Sequence, residues 1–258
     1  MKKYALLGEH LSHSYSPLIH DEIFKSYGIL ASYEKIECKK EELKSYVDKI
    51  RSGEYSGYNV TIPYKREVMQ YLDEISDEAK MIGAVNTIAY INGKVIGFNT
   101  DYYGFYNEVL YYNIDVAKKN CFILGTGGAS LALHKALSDL GGNVKYVSRN
   151  PKNSDTITYD ELSNEDLYLI VNATPVGMYP NVGVSPISSN VASKSKYVMD
   201  IIFNPSQTKL LLDANSKMNG LYMLVGQAVK AEEIWQEKKY PGNIEELLKR
   251  IEMMIWTI

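Results

Sequence analysis

NCFILGTGGAS, residues 120–130, runs from an apolar strand through a glycine loop to the start of a helix, LALHKALSDLGG (131–142). Cys121 to Leu124 have the unbroken apolar character of a strand buried on both faces. Gly125, Gly127 and Gly128 let the backbone come close to a phosphate, and the helix N-terminus behind them offers unpaired N–H groups and a partial positive charge. The third glycine of the usual G-x-G-x-x-G pattern is Ser130 here, still small enough for close helix packing. A tight structural turn would use the same glycines, so the loop alone does not separate a cofactor site from a bend. The next strand, NVKYVSRN (143–150), says more. Where NAD-binding folds carry an acid for the ribose 2′-hydroxyl, it places Ser148 and Arg149. A carboxylate there would repel a 2′-phosphate, whereas a guanidinium can bind it bidentately. The pair points to NADP, with Lys152 as a candidate second cation; a solvated arginine at a strand end is the plainer reading.

Outward from this loop the chain alternates strands and helices, the pattern of an α/β protein with mostly parallel sheets. A second block begins near residue 102 and adds strands at 166–178, 196–203 and 221–225, followed by helices at 227–239 and 243–255. These helices could return to the first block. That block opens with a strand at YALLG (4–8) and a helix at 16–28, with Ser16 as its N-cap, Pro17 at its first position and Gly28 at its stop. A strand at 32–38, an amphipathic helix at 40–53 and the strand NVTIP complete a βαβαβ run. A helical stretch follows near 74–82, and residues 87–101 read as a hairpin turning at Asn92-Gly93. The domains divide as 1–101 with the terminal helices 228–258, and 102–227.

Composition bounds the function. The 258 residues are 45% hydrophobic, ample for a core, and 28 Lys+Arg against 31 Asp+Glu leave a net charge of −3, without the basic excess that nucleic-acid binding requires. Cys38 and Cys121 stand alone and read as reduced residues. The apolar run in MKKYALLGEH is too short for a signal peptide, and no stretch approaches the roughly 20 residues of a membrane span. A soluble cytoplasmic protein is expected. His10 and His13 have an i, i+3 spacing but no carboxylate or thiolate constellation, so no metal site is expected.

In YNVTIPYKREV (58–68), Tyr58, Val60 and Ile62 alternate with Asn59 and Thr61, the period of a strand with one buried face that stops at Pro63. Lys65 follows two residues beyond, either an ordinary surface lysine or one aimed by the strand. Polar residues gather at other strand ends too: Ser14 and Ser16, Asn86, Asn99 and Asp101. Hydroxyls and amides suit a polyhydroxylated acid, though each alone reads equally as a cap or turn residue.

Eight segments, SHSYSPLIH (12–20), NVTIPYK (59–65), GAVNTI (83–88), GFNTD (97–101), GTGGAS (125–130), NATPVGM (172–178), DIIFNPSQTKLL (200–212) and GLYMLVGQA (220–228), resemble in order the motifs of the shikimate dehydrogenase family of aromatic amino acid biosynthesis. The resemblance spans nearly the whole chain. It implies two α/β domains facing a cleft, the second Rossmann-like and NADP-binding, and reduction of 3-dehydroshikimate to shikimate. It also implies a monomer or homodimer whose partners are small molecules. By the same resemblance Ser14 and Ser16 bind the substrate carboxylate. Asn86, Asp101 and Gln227 bind its hydroxyls, Thr61 lines the pocket, and Lys65 with Asp101 forms the catalytic pair. Cofactor contacts fall on Gly125, Thr126, Gly127, Gly128, Ala129, Ser148, Arg149, Asn172, Thr174 and Ile201. Two departures stand out: Thr126 in a loop that is commonly GAGGAS, and Phe203 where the family carries a tyrosine near the substrate.

The chemistry suits these residues. A nicotinamide handles the hydride, so the protein must orient a carbonyl and move one proton. A lysine beside a carboxylate keeps its ammonium form at neutral pH and can give a proton to the oxygen that becomes an alkoxide. Two alternatives stay open: a quinate/shikimate dehydrogenase using NAD, and a catalytically silent NADP- or shikimate-binding regulator. No acid stands at the ribose position to favour the first, and the second would be expected to lose Lys65 or Asp101.

Overall fold

A computed structural model describes residues 1–151, 153–240 and 244–256. Residue 243, the expected start of the last helix, and Lys152 lie outside the described residues. The chain divides into two compact units, Met1–Gly104 with Val225–Ile258, and Phe105–Leu224.

The first unit contains β1 (Lys2–Gly8), α1 (Ser16–Tyr27), β2 (Ala31–Glu37), α2 (Leu43–Arg51), β3 (Gly57–Val60), β4 (Glu74–Ile75), α3 (Asp77–Ile82), β5 (Thr87–Ile91) and β6 (Lys94–Phe98). Its sheet has the order β2-β1-β3-β5-β6-β4. β1 lies parallel to β2 and β3, and β5 runs antiparallel to β3 and β6. The hairpin turns at Asn92 (φ 51°) and Gly93 (φ 80°), the positive pair a type I′ turn demands.

β3 corrects the expected strand. It ends at Val60, not at Pro63, and all four of its residues are buried because it lies between β1 and β5. Asn59 is therefore buried, and Ile62, expected on the buried face, is 74% exposed. The helix expected near 74–82 begins only at Asp77, after β4 pairs with β6.

The chain passes between the units inside α4 (Thr100–Tyr111) and returns inside α9 (Leu221–Trp235). In the second unit β7 (Asn120–Leu124) leads into α5 (Gly128–Asp139). Then come β8 (Asn143–Val147), β9 (Thr156–Ile157), α6 (Tyr159–Leu162), β10 (Leu169–Asn172), α7 (Ser189–Lys194), β11 (Tyr197–Asp200), α8 (Lys209–Asp213) and β12 (Lys217–Asn219). All strands are parallel, in the order β12-β11-β10-β7-β8-β9. The strand order reverses between β7 and β10, and such sheets bind ligands at the carboxyl ends of the strands flanking that point. LYMLV (221–225), expected as a strand, is the start of α9; β12 is the last strand.

The end of α9 and α10 (Ile244–Trp256) belong to the first unit. Trp235 donates its indole N–H to the carbonyl of Ile88 at 2.9 Å. That approach requires Gly57, where a Cβ would stand 2.3 Å from the indole nitrogen. His20 Nδ1 and Glu232 Oε1, both buried, meet at 2.7 Å, and Arg250 reaches Glu22 at 3.3 Å.

Candidate active site

In the first unit, the half-buried Ser14 and Ser16 begin a chain of polar contacts that runs into the interior. The expected cap is corrected: Tyr15 is the N-cap of α1, and no side chain caps the helix. The Ser16 hydroxyl instead accepts from Ser14 Oγ at 3.1 Å and contacts the Tyr33 phenol. Burial, with Glu232 nearby, holds that phenol well above the usual tyrosine range, so it stays a neutral donor. Tyr33 donates to Asn59 Oδ1 at 2.7 Å, and Asn59 Nδ2 donates to Thr87 Oγ1 at 3.0 Å. The Thr87 and Thr100 hydroxyls meet at 3.1 Å, and Thr100 Oγ1 lies 3.3 Å from Gln227 Oε1. The backbone N–H and hydroxyl of Thr100 donate to Asn86 Oδ1 at 2.6 and 3.2 Å. The carbonyl end of that amide is committed to protein, while its Nδ2 makes no hydrogen bond among the described residues. Ser14, Ser16, Asn86 and Gln227 thus belong to one network.

Lys65 is presented by a pinned turn. Thr61 N–H donates to Leu7 O at 2.9 Å, and Tyr64 N–H donates to Thr61 O at 2.9 Å. The Tyr64 hydroxyl anchors on Cys38 O at 2.7 Å, and Val85 N–H donates to Lys65 O at 2.8 Å. From this turn Lys65 Nζ donates to Asp101 Oδ2 at 2.5 Å, with the side chains 18% and 13% exposed. Asp101 sits in the first turn of α4, not at a strand end, where the helix dipole favours a carboxylate. Two amides hold that turn. Asn86 accepts from Thr100 N–H, while Asn99 accepts from Tyr102 N–H at 3.2 Å and donates to Ala84 O at 3.0 Å. A charge-assisted bond inside such a frame fixes the ammonium in one place.

Tyr33, Asn59, Thr87 and Thr100 are the members of this network that the sequence reading omits. The available hint was Asn59, an amide inside the apolar stretch between Tyr58 and Val60.

The second unit presents backbone rather than side chains. Gly125 has φ +98°, a left-handed conformation that favours glycine. Gly127 is the N-cap of α5 and supplies no side-chain cap, and the helix starts at Gly128 rather than at Leu131. A Cβ at Gly127 or Gly128 would meet nothing within 4 Å, so the loop faces open space. Thr126 is exposed, Ala129 half-buried, and Ser130 Oγ donates to Gly127 O at 2.9 Å. Ser148 and Arg149 follow the end of β8; Arg149 is exposed, and no carboxylate pairs with it among the described residues. Asn172 ends β10, and its Oδ1 accepts from Thr174 N–H and Oγ1 at 3.0 and 2.7 Å. Ile201 N–H donates to Asn172 O at 3.1 Å. An open glycine loop at a helix start, with a cation one strand away, fits a dinucleotide carrying an extra phosphate.

Comparison with known proteins decides the family. The Shikimate dehydrogenase substrate binding domain family matches residues 6–88. Over 97% of its length the chain is 45% identical to "Shikimate dehydrogenase (NADP(+))" of Clostridium beijerinckii, of which it covers 98%. The chain belongs to the shikimate dehydrogenase family. Its fold matches a chorismate mutase/shikimate 5-dehydrogenase fusion protein from Clostridium acetobutylicum with TM-score 0.94 at 41% identity, covering 99% of this chain and 98% of that one. It also matches the shikimate 5-dehydrogenase of Thermus thermophilus, solved with NADP(H) and shikimate, with TM-score 0.86 at 30% identity over 97% and 99% of the two chains. Within this family's substrate binding domain match fall Ser14, Ser16, Thr61, Lys65 and Asn86; Asp101 and Gln227 lie beyond it.

Proposed function

We propose that this protein catalyses the reversible NADPH-dependent reduction of 3-dehydroshikimate to shikimate, a step of aromatic amino acid biosynthesis. The unit Met1–Gly104 with Val225–Ile258 binds the acid, and Phe105–Leu224 binds NADP. The observation that carries this reading is the Lys65–Asp101 pair, held at 2.5 Å in a unit that matches a substrate binding domain.

The nicotinamide, when bound, supplies the hydride. Lys65 gives its proton to the carbonyl oxygen as negative charge develops there, and takes it back in the oxidising direction. Asp101 aims the ammonium and accepts from a substrate hydroxyl. Ser14 and Ser16 donate to the carboxylate, the Nδ2 of Asn86 donates to a hydroxyl, and Gln227 and Thr61 complete the pocket. The backbone N–H groups of residues 126–129 hold phosphate, while Arg149 pairs with the 2′-phosphate, Ser148 beside it. Asn172, Thr174 and Ile201 border the same ligand.

A silent regulator would not need the Lys65–Asp101 pair, and Arg149 favours NADP over the NAD of a quinate enzyme. No helix among the described residues is long and apolar enough to cross a membrane. We place the enzyme in the cytoplasm, as a monomer or homodimer. Loss of NADPH absorbance on adding 3-dehydroshikimate is the test. Turnover with NADPH is expected, and its absence would overturn the reading; equal turnover of quinate and shikimate would favour the broader enzyme.

A further inference from the structure

Asp200 ends β11, is 1% exposed, and takes no part in the steps above. Its carboxylate gathers three donors. Oδ1 accepts from Asn172 Nδ2 at 3.0 Å and from Ile202 N–H at 3.1 Å, and Oδ2 accepts from the Thr208 hydroxyl at 2.7 Å. No cation pairs with it among the described residues. A carboxylate buried without a cation is expensive unless its acceptors are needed.

The informative donor is Asn172. An amide can present either end to a neighbour, but a carboxylate accepts only from the NH2 end. Asp200, at a shorter distance than the Val176 carbonyl that also accepts from Asn172 Nδ2 at 3.4 Å, therefore fixes which way the Asn172 amide points. Its Oδ1 is thereby turned to Thr174, where it accepts both the N–H and the hydroxyl. The Thr174 hydroxyl accepts in turn from Val176 N–H at 3.2 Å. Its methyl carbon stands 2.9 Å from where a Cβ on Gly125 would lie, so this loop closes directly on the first glycine of the phosphate loop. β10 and β7, whose carboxyl ends carry these two loops, are the strands at which the sheet order reverses.

We infer that Asp200 is a positioning residue for the cofactor: through the Asn172 amide it holds residues 173–176 against Gly125 in the shape that receives the dinucleotide. The inference rests on the reading of the glycine loop as an NADP site.

The test is NADP+ affinity by titration calorimetry on the full chain, with melting temperature and shikimate affinity measured alongside. Asp200→Ala leaves the Asn172 NH2 only the longer bond to Val176 O, and should weaken NADP+ by roughly tenfold, the scale of a lost hydrogen bond to a charged group, while shikimate affinity stays at the parent value. Asp200→Asn should restore NADP+ affinity to within about threefold. Its carbonyl still accepts from Asn172 and Ile202, and its NH2 can donate to the Thr208 oxygen. Should Asp200→Ala fail to fold, Asp200→Ser replaces it, because a serine hydroxyl can still accept from Ile202 N–H but is too short to reach Asn172. A lower melting temperature with unchanged NADP+ affinity would overturn the inference and leave Asp200 a stability residue. So would an Asp200→Asn variant as weak as Asp200→Ala, or an equal loss of shikimate affinity. A parent chain that does not bind NADP+ would overturn the cofactor reading and the inference with it; loss in neither variant, with a parent that binds, overturns the inference alone.

Discussion

The two units build their proposed ligand surfaces by opposite means. In the first, buried and half-buried side chains from β2, β3, β5, α1, α4 and α9 bond to one another, so that the network from Ser14 to Gln227 is fixed by hydroxyls and amides at named positions. In the second, the loop at Gly127 and Gly128 presents backbone to open space, and one exposed cation stands at the end of the next strand. A side-chain site encodes which groups a ligand must carry, since each buried partner left unpaired is costly. A backbone site encodes shape and charge, and tolerates changes that add no bulk toward the ligand. Damage to the first should therefore appear as lost chemistry or lost substrate, and damage to the second as lost cofactor.

The largest expected break is at Lys65. Lys65→Ala removes the proposed proton donor and should cut turnover by roughly 100-fold or more, the usual scale for a positioned acid–base group. NADP+ affinity should stay at the parent value, because the lysine belongs to the other unit. Steady-state rates beside NADP+ titration read both. A variant that kept its turnover would remove Lys65 from the chemistry, and one that lost cofactor affinity as well would erase the division between the units.

Arg149 probes the opposite side. Arg149→Ala should weaken NADP by about 10- to 100-fold, the worth of a charge-assisted pair, and NAD much less, since only NADP carries the 2′-phosphate. Michaelis constants for the two cofactors give the answer. Equal losses would mean that Arg149 supports the loop and reads no phosphate.

These contrasts also explain what the sequence made legible. Local grammar was readable: NCFILGTGG specifies strand, turn and helix within a few residues, and Asn92-Gly93 demands a type I′ turn. The pairing of Lys65 with Asp101 came through family motifs, because side chains 36 residues apart carry no local sign of meeting at 2.5 Å. Tertiary context defeated other readings. LYMLV is apolar and short, and periodicity cannot separate such a run in a strand from one in a buried helix. Ser16 followed by Pro17 has the composition of a cap, yet Ser16 lies inside α1 and turns its hydroxyl to Ser14 and Tyr33. Asn59 read as the solvent half of an alternation because nothing in β3 announces a strand on each side of it.

Ser14 and Ser16 sharpen the comparison at a smaller scale. Carboxylate binding changes little between ground and transition states, so Ser14→Ala or Ser16→Ala should raise KM for shikimate by about 5- to 10-fold with kcat nearly unchanged. Unchanged KM in both variants would sink the carboxylate assignment. A fall in kcat equal to the loss in kcat/KM would instead place the serines in contact with the reacting centre.

The smallest effect belongs to Asp200 and reports stability rather than binding. Burial pushes its carboxyl up to about 6 from the ordinary value of 3.8, against the pull of the Thr208, Ile202 and Asn172 donors. Because the folded-state value is the higher one, the folded protein holds the proton more tightly than the unfolded chain. The resulting stability is full below pH 3.8 and is lost as pH rises through about 6. Between pH 5.5 and 7.5 the loss is about 1 kcal/mol, or a few degrees in Tm. Other groups titrate in that range, so the quantity to measure is the Tm of the parent minus that of Asp200→Asn, whose amide does not titrate. The difference should grow more favourable to the parent as pH falls from 7.5 to 5.5. A difference that stays flat would mean that Asp200 holds one charge state across the range. One that moves the other way would mean that the folded state prefers the carboxylate, with the three donors outweighing burial.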